Sequence, residues 1–122
     1  MKTAFVVLGM HRSGTSSVAG ALSLLGAAAP RTLMSVADDN PKGFWESEVV
    51  MMLNDRILEA AGSSWRDWRR LDPVVFAGGQ GARFHAEATK ALIAEFATAE
   101  TIVLKDPIKS SICSTHRLWP CT

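Results

Sequence analysis

An apolar run, Ala4-Phe5-Val6-Val7-Leu8, leads straight into Gly9-Met10-His11-Arg12-Ser13-Gly14-Thr15-Ser16, and an apolar periodic segment follows over residues 18–25. This succession constrains the fold more than any other part of the chain. A short β-branched and aromatic run ended by glycine predicts a buried strand over residues 3–8. The segment after the loop predicts a helix over residues 15–25, with Val18, Leu22 and Leu25 inward and Gly26 as its stop. A strand feeding a glycine loop that opens a helix points backbone N–H groups and the positive helix end at one place, which suits a phosphate.

Four residues separate Gly9 from Gly14 and Thr15-Ser16 follows, which is phosphate-binding-loop spacing. The lysine such a loop carries after its second glycine is replaced by Thr15, and the nearest cation is Arg12. Arg12, with Ser13, Thr15 and Ser16 around it, can donate to phosphate oxygens. A tight turn with a hydroxyl cap is the alternative reading of the same residues.

Further along, residues 27–46 read as a long loop containing Pro30 and Pro41, and loops of this length are usually functional. A second helix is predicted from near Ser47, a plausible cap, with Val50, Leu53, Ile57 and Ala61 on one face and Gly62 at the end. Trp65, Trp68 and Pro73 fall in an irregular arm, and Gly78-Gly79-Gln80-Gly81 reads as a flexible break. A third helix over residues 82–97 places Ala88, Leu92 and Phe96 inward, and residues 101–104 form a second buried strand ended by Lys105-Asp106-Pro107. Two strands separated by helices predict a parallel pair. The fold class is therefore α/β, a P-loop-type parallel sheet with flanking helices. Two strands are few for such a sheet, so residues 1–122 read as one partial domain, an N-terminal portion.

The formal net charge of +1, from 13 basic and 12 acidic residues, argues against a nucleic-acid or membrane-surface partner while leaving room for a small anionic ligand. The apolar segments are too short for a signal peptide or a membrane span, so a cytoplasmic protein is expected. Cys113 and Cys121 are expected as free thiols, and no metal-ligand spacing is present. Met51-Met52 reads as core filler, Trp65 and Trp68 as packed or partly exposed side chains, and His85 as a helix-face histidine.

Two further clusters carry chemistry. In Asn40-Pro41-Lys42-Gly43-Phe44-Trp45-Glu46-Ser47, the proline and glycine fix a turn and the aromatic pair can anchor it in the core. Glu46 is either a helix-dipole partner in the first turn or a general base facing the glycine loop. Lys105, at the end of the second strand, adds a cation beside that loop. Arginine and lysine in place of lysine and metal suit a group with less charge than a γ-phosphate, and sulfuryl is such a group.

Residues 5–16, the segment Asn40-Pro41-Lys42-Gly43-Phe44-Trp45-Glu46 and the segment Val103-Leu104-Lys105-Asp106-Pro107 together resemble the sulfotransferase family. The resemblance is nearest to its bacterial sulfotransferase-like branch, which is also similar to the protein-tyrosine sulfotransferases. It implies 3′-phosphoadenosine 5′-phosphosulfate (PAPS) as co-substrate, no metal, and a small-molecule, glycan or peptide acceptor with a hydroxyl or amine. The donor's phosphosulfate would lie on His11, Arg12, Ser13, Gly14, Thr15 and Ser16. The catalytic residues it implies are Arg12 on the 5′-phosphate and sulfuryl group, Glu46 as base, and Lys105 on the transition state.

The sequence departs from the family in its tail. The arginine and serine that hold the donor's 3′-phosphate are not met by residue 122, Ile108 stands where relatives commonly have arginine, and residues 108–122 are atypical. Truncation or a frame change near residues 108–115 is the expectation, with weak donor binding and little turnover. Two other functions stay open: a small-molecule kinase with a degenerate phosphate loop, and a non-catalytic fragment that associates through an open sheet edge.

Overall fold

The computed structural model describes residues 3–9, 13–35, 38, 43–67, 69 and 71–106. The sequence expectations for His11, Arg12, residues 40–42, Trp68, Pro107, Ile108, Cys113 and Cys121 lie outside the described residues. In chain order the elements are strand β1 (Thr3–Leu8), helix α1 (Thr15–Leu24), helix α2 (Glu48–Ala60), a 3-10 turn (Pro73–Phe76), helix α3 (Gly78–Phe96) and strand β2 (Thr101–Asp106). Among the described residues this is a small α/β fold with a two-stranded parallel sheet and three helices.

The strands pair in register from Thr3 opposite Thr101 to Leu8 opposite Asp106, so β2 runs two residues beyond its sequence-predicted end and carries Lys105 and Asp106. Parallel pairing brings both C-terminal strand ends together, and the glycine loop begins there. On its other edge β2 is met by isolated bridges from Ala28 and Glu46, both parallel. The long segment between α1 and α2 is thus partly strand-like: Ala28 N–H donates to the Thr101 carbonyl and Val103 N–H to the Ala28 carbonyl.

Side chains on β2 alternate between two packed faces, as strand geometry requires. Val103 packs with Ala19, Ala27, Leu22, Val7 and Trp45, beneath α1. Ile102 and Leu104 pack with Val50 of α2 and Leu92 and Phe96 of α3. A third cluster, Leu53, Ile57, Leu58, Leu71, Phe84, Ala88 and Ala91, joins α2 to α3. Burying an aliphatic side chain of this kind contributes roughly 1.5–3 kcal/mol, so the α2–α3–β2 contacts are the main hydrophobic mass.

Several expectations need correction. Strand β1 is exposed along most of its length, with Phe5, Val6 and Leu8 each about two-fifths accessible, because the helices centre on β2. Helix α1 buries Ala19 and Gly20, with Leu22 partly buried; Val18 and Leu25 are exposed. Its small residues let the helix backbone approach Trp45 and the sheet, and the bulkier stripe is left outside. The glycines at 78, 79 and 81 belong to α3, and Gly81 is buried. The helix starts four residues earlier than predicted because the preceding turn, opened by the Asp72 carboxylate accepting from Val74 N–H at 3.0 Å, feeds directly into it. Met52 is exposed rather than core. Trp65, by contrast, is half exposed in line with its expected partial exposure, with the Arg66 guanidinium 4.8 Å from its ring centroid.

Candidate functional site

The site lies at the C-terminal end of the sheet. Gly14 adopts φ 86°, a left-handed conformation that side chains rarely take, and ends the loop as the N-cap of α1. With no side chain there, the cap makes no side-chain hydrogen bond, and the first turn of α1 carries no acidic residue. Gly9 sits beneath Ser13 and Thr15. A Cβ on it would come within 2.6 Å of Thr15 Cγ2 and 2.8 Å of Ser13 Oγ. Ser13 and Thr15 therefore lie close over Gly9, and Gly14 opens the positive terminus of a helix with no side-chain cap, which suits an anion.

Ser16, on that first turn, donates its hydroxyl to the Phe44 carbonyl at 3.2 Å. That bond ties the helix start to the segment carrying Glu46. The next residue, Trp45, has φ 58°, uncommon for a non-glycine residue and costing on the order of 1–3 kcal/mol. Its indole packs over Gly20, where a Cβ would lie 3.1 Å from Nε1. The packing of Trp45 on α1 holds the backbone turn that delivers Glu46 to the sheet.

Glu46 is buried and bridges to Lys105, and the Lys105 ammonium donates to Glu46 Oε1. Both side chains are about 5% exposed. Lys105 lies opposite Val7 of β1 and on the same sheet face as Val103, the face covered by α1. A buried carboxylate and a buried ammonium are thus paired next to the glycine loop. Such a pair is weak evidence of stability, because desolvation offsets most of the Coulomb attraction. Glu46 is not in the helix: Ser47 is the N-cap of α2, accepting from Val50 N–H at 3.1 Å, and the acidic first-turn residue is Glu48. The helix-dipole reading therefore belongs to Glu48.

Of the sequence-predicted site residues, Ser13, Gly14, Thr15 and Ser16 form the loop end and helix start, and Glu46 and Lys105 meet in one ion pair. Sequence reasoning missed Thr32 and Glu95. Glu95 is buried on α3 and accepts from Thr32 N–H at 3.1 Å and Thr32 Oγ1 at 2.8 Å. Its spacing was a usable signal: it lies four residues after Ala91 and between Leu92 and Phe96, on a helix face that is otherwise apolar. Among the described residues no group of three or more His, Cys, Asp or Glu side chains could hold a metal ion, and no helix is long and apolar enough to cross a membrane. Comparison with protein-family models, curated proteins and solved structures finds no match.

Proposed function

We propose that the chain is a sulfotransferase-like P-loop domain that binds the phosphosulfate of PAPS and is built for sulfuryl transfer to a hydroxyl or amine. The observation that carries this reading is the buried Glu46–Lys105 pair at the C-terminal end of the sheet, where Gly9 follows β1 and Gly14 opens α1. The loop supplies backbone N–H groups and a helix end, and Lys105 and Arg12 supply cations, so the residues fit a donor whose reacting end is anionic.

In the proposed reaction Glu46 accepts the proton of the acceptor hydroxyl. The acceptor oxygen bonds to sulfur as the bond from sulfur to the bridging oxygen breaks, and 3′-phosphoadenosine 5′-phosphate leaves with that electron pair. Arg12 neutralises the sulfuryl oxygens, and Lys105 stabilises charge on the departing oxygen. Positioning and charge stabilisation do most of such work. The two side chains pair within a site shielded from water, and donor binding would draw Lys105 toward the new anion.

Isothermal titration with 3′-phosphoadenosine 5′-phosphate tests this. The expected result is weak binding, indifferent to Mg²⁺ and weakened about tenfold or more by Arg12→Ala, the loss of one charge-assisted contact. Binding of ATP that requires Mg²⁺ would instead support the kinase reading, and no nucleotide binding would remove both.

A second reading is favoured by one observation: β1 is apolar and exposed, with Phe5, Val6 and Leu8 accessible. Exposed strand edges template pairing with other chains, so the chain would act as an associating, non-catalytic piece. Size-exclusion chromatography across a concentration series separates this from a monomer.

A further inference from the structure

Among the described residues, Glu95 is the buried ionisable group that the proposed chemistry does not use, at 2% exposure. Both its carboxylate oxygens are taken by one residue: Oε2 accepts from Thr32 N–H and Oε1 from Thr32 Oγ1. Its own carbonyl accepts from Arg31 N–H at 3.2 Å, and the Arg31 guanidinium reaches the Ala94 carbonyl at 3.4 Å. The C-terminal turn of α3 therefore grips residues 31–32 from several sides.

The gripped segment in turn holds the site. Glu48 N–H donates to the Thr32 carbonyl at 2.8 Å, and Met34 N–H donates to the Glu46 carbonyl at 2.9 Å. Leu33 and Ser47 face each other in an antiparallel bridge between those two bonds. Glu46 is thus zipped at its backbone to a three-residue segment whose first residue is anchored on Glu95, and its side chain meets Lys105 on the other side. A charged group buried on an otherwise apolar helix face must be hydrogen-bonded to persist there. Here its hydrogen bonds go to the segment that sets where Glu46 sits.

We infer that Glu95 is a positioning residue for the Glu46–Lys105 pair, acting through Thr32 and the 32–34/46–48 backbone zipper. Its place in sulfuryl transfer rests on the function proposed above, whereas its effect on the pair does not.

The test is amide and lysine-ammonium hydrogen exchange by NMR on the full chain, comparing wild type with Glu95→Gln, Glu95→Leu and Thr32→Val. Leu71→Ala, in the α2–α3 cluster, serves as a globally destabilised control. Glu95→Leu is expected to speed exchange of the Met34 and Glu48 amides and of the Lys105 ammonium about tenfold or more, the scale of losing hydrogen bonds to a charged group. Glu95→Gln, which keeps an acceptor oxygen, falls between wild type and Glu95→Leu, as does Thr32→Val, which keeps the backbone donor. Unchanged rates at these three sites, or rises no larger than those in Leu71→Ala, would overturn the inference. If Glu95→Leu does not fold, the graded pair of Glu95→Gln and Thr32→Val decides by the same criterion. Faster exchange without any nucleotide binding would leave the clamp standing and remove the donor reading. Nucleotide binding with unchanged exchange would do the reverse.

Discussion

Lys105 and Glu46 are 59 positions apart, yet the Lys105 ammonium donates to the Glu46 carboxylate in a site where both are almost wholly shielded from water. Each arrives by a separate route. Lys105 comes at the end of β2, beside Val7, and Glu46 comes on a backbone turn braced by Trp45 against α1. Removing one partner leaves the other charge buried and unpaired. Lys105→Met is expected to lower stability by about 3–5 kcal/mol, as is Glu46→Gln to a lesser degree, while the double variant recovers much of the loss. Urea unfolding of the two single variants and the double variant checks this. Additive losses would show that the pair is not energetically coupled.

A methyl group on Gly20 would lie 3.1 Å from Trp45 Nε1, so the indole would have to give way by a few tenths of an ångström. Alanine gains about 1 kcal/mol of helix propensity, but inserting carbon into a packed contact costs about 1–3 kcal/mol. Gly20→Ala is therefore expected to be destabilising by about 1 kcal/mol and to shift Trp45 fluorescence. Unaltered fluorescence with higher stability would mean that the contact yields without loss.

Ser47 caps α2 through its hydroxyl and is almost fully buried. Ser47→Ala should lower stability by about 1–2 kcal/mol, because the Val50 N–H then loses its partner. Thermal or denaturant melting reads the change directly, and a neutral result would show that another acceptor takes over.

Gly14 holds a positive φ at the mouth of the loop. Gly14→Ala is expected to cost about 1–2 kcal/mol in stability and to weaken binding of 3′-phosphoadenosine 5′-phosphate. Titration calorimetry alongside melting separates the two effects, and unweakened binding would remove the loop from the site.

The Asp67 carboxyl is held well below the usual carboxylate range, chiefly by the hydrogen bond from the Arg69 side chain and then by Arg69 N–H, with Ser63 adding a third donor. A folded pKa below the unfolded one means the contribution is complete above the ordinary carboxylate range and is lost as pH falls through and below it. The Arg69 side chain is exposed, so salt screens the interaction. Asp67→Asn should be slightly destabilising near neutrality, keep most of that effect just below the ordinary carboxylate range, and lose it only as pH falls on toward the depressed folded value. A pH series of melting temperatures for both proteins tests that sign.

Much of the frame was legible in the chain because it depends on local pattern. Strand β1, the onset of α1 at Thr15, the Ser47 cap and the inward residues Val50, Leu53, Ile57, Ala88, Leu92 and Phe96 follow from periodicity and capping chemistry alone. The inward face of α1 did not, because Ala19 and Gly20 are chosen by how closely the helix can approach Trp45 and β2, a contact no local pattern encodes. The exposure of β1 likewise depends on where the helices settle.

By itself the sequence determined the kinds of residue available for chemistry: a glycine loop with hydroxyls and an arginine, a glutamate after an aromatic turn, and a lysine at a strand end. Only the tertiary structure decided that Glu46 and Lys105 neutralise each other in a buried pair, and that Glu95 reaches Glu46 through Thr32. The physical reason is that buried charges are stable only with partners, and those partners lie across strand, loop and helix, at separations in the chain that spacing does not reveal.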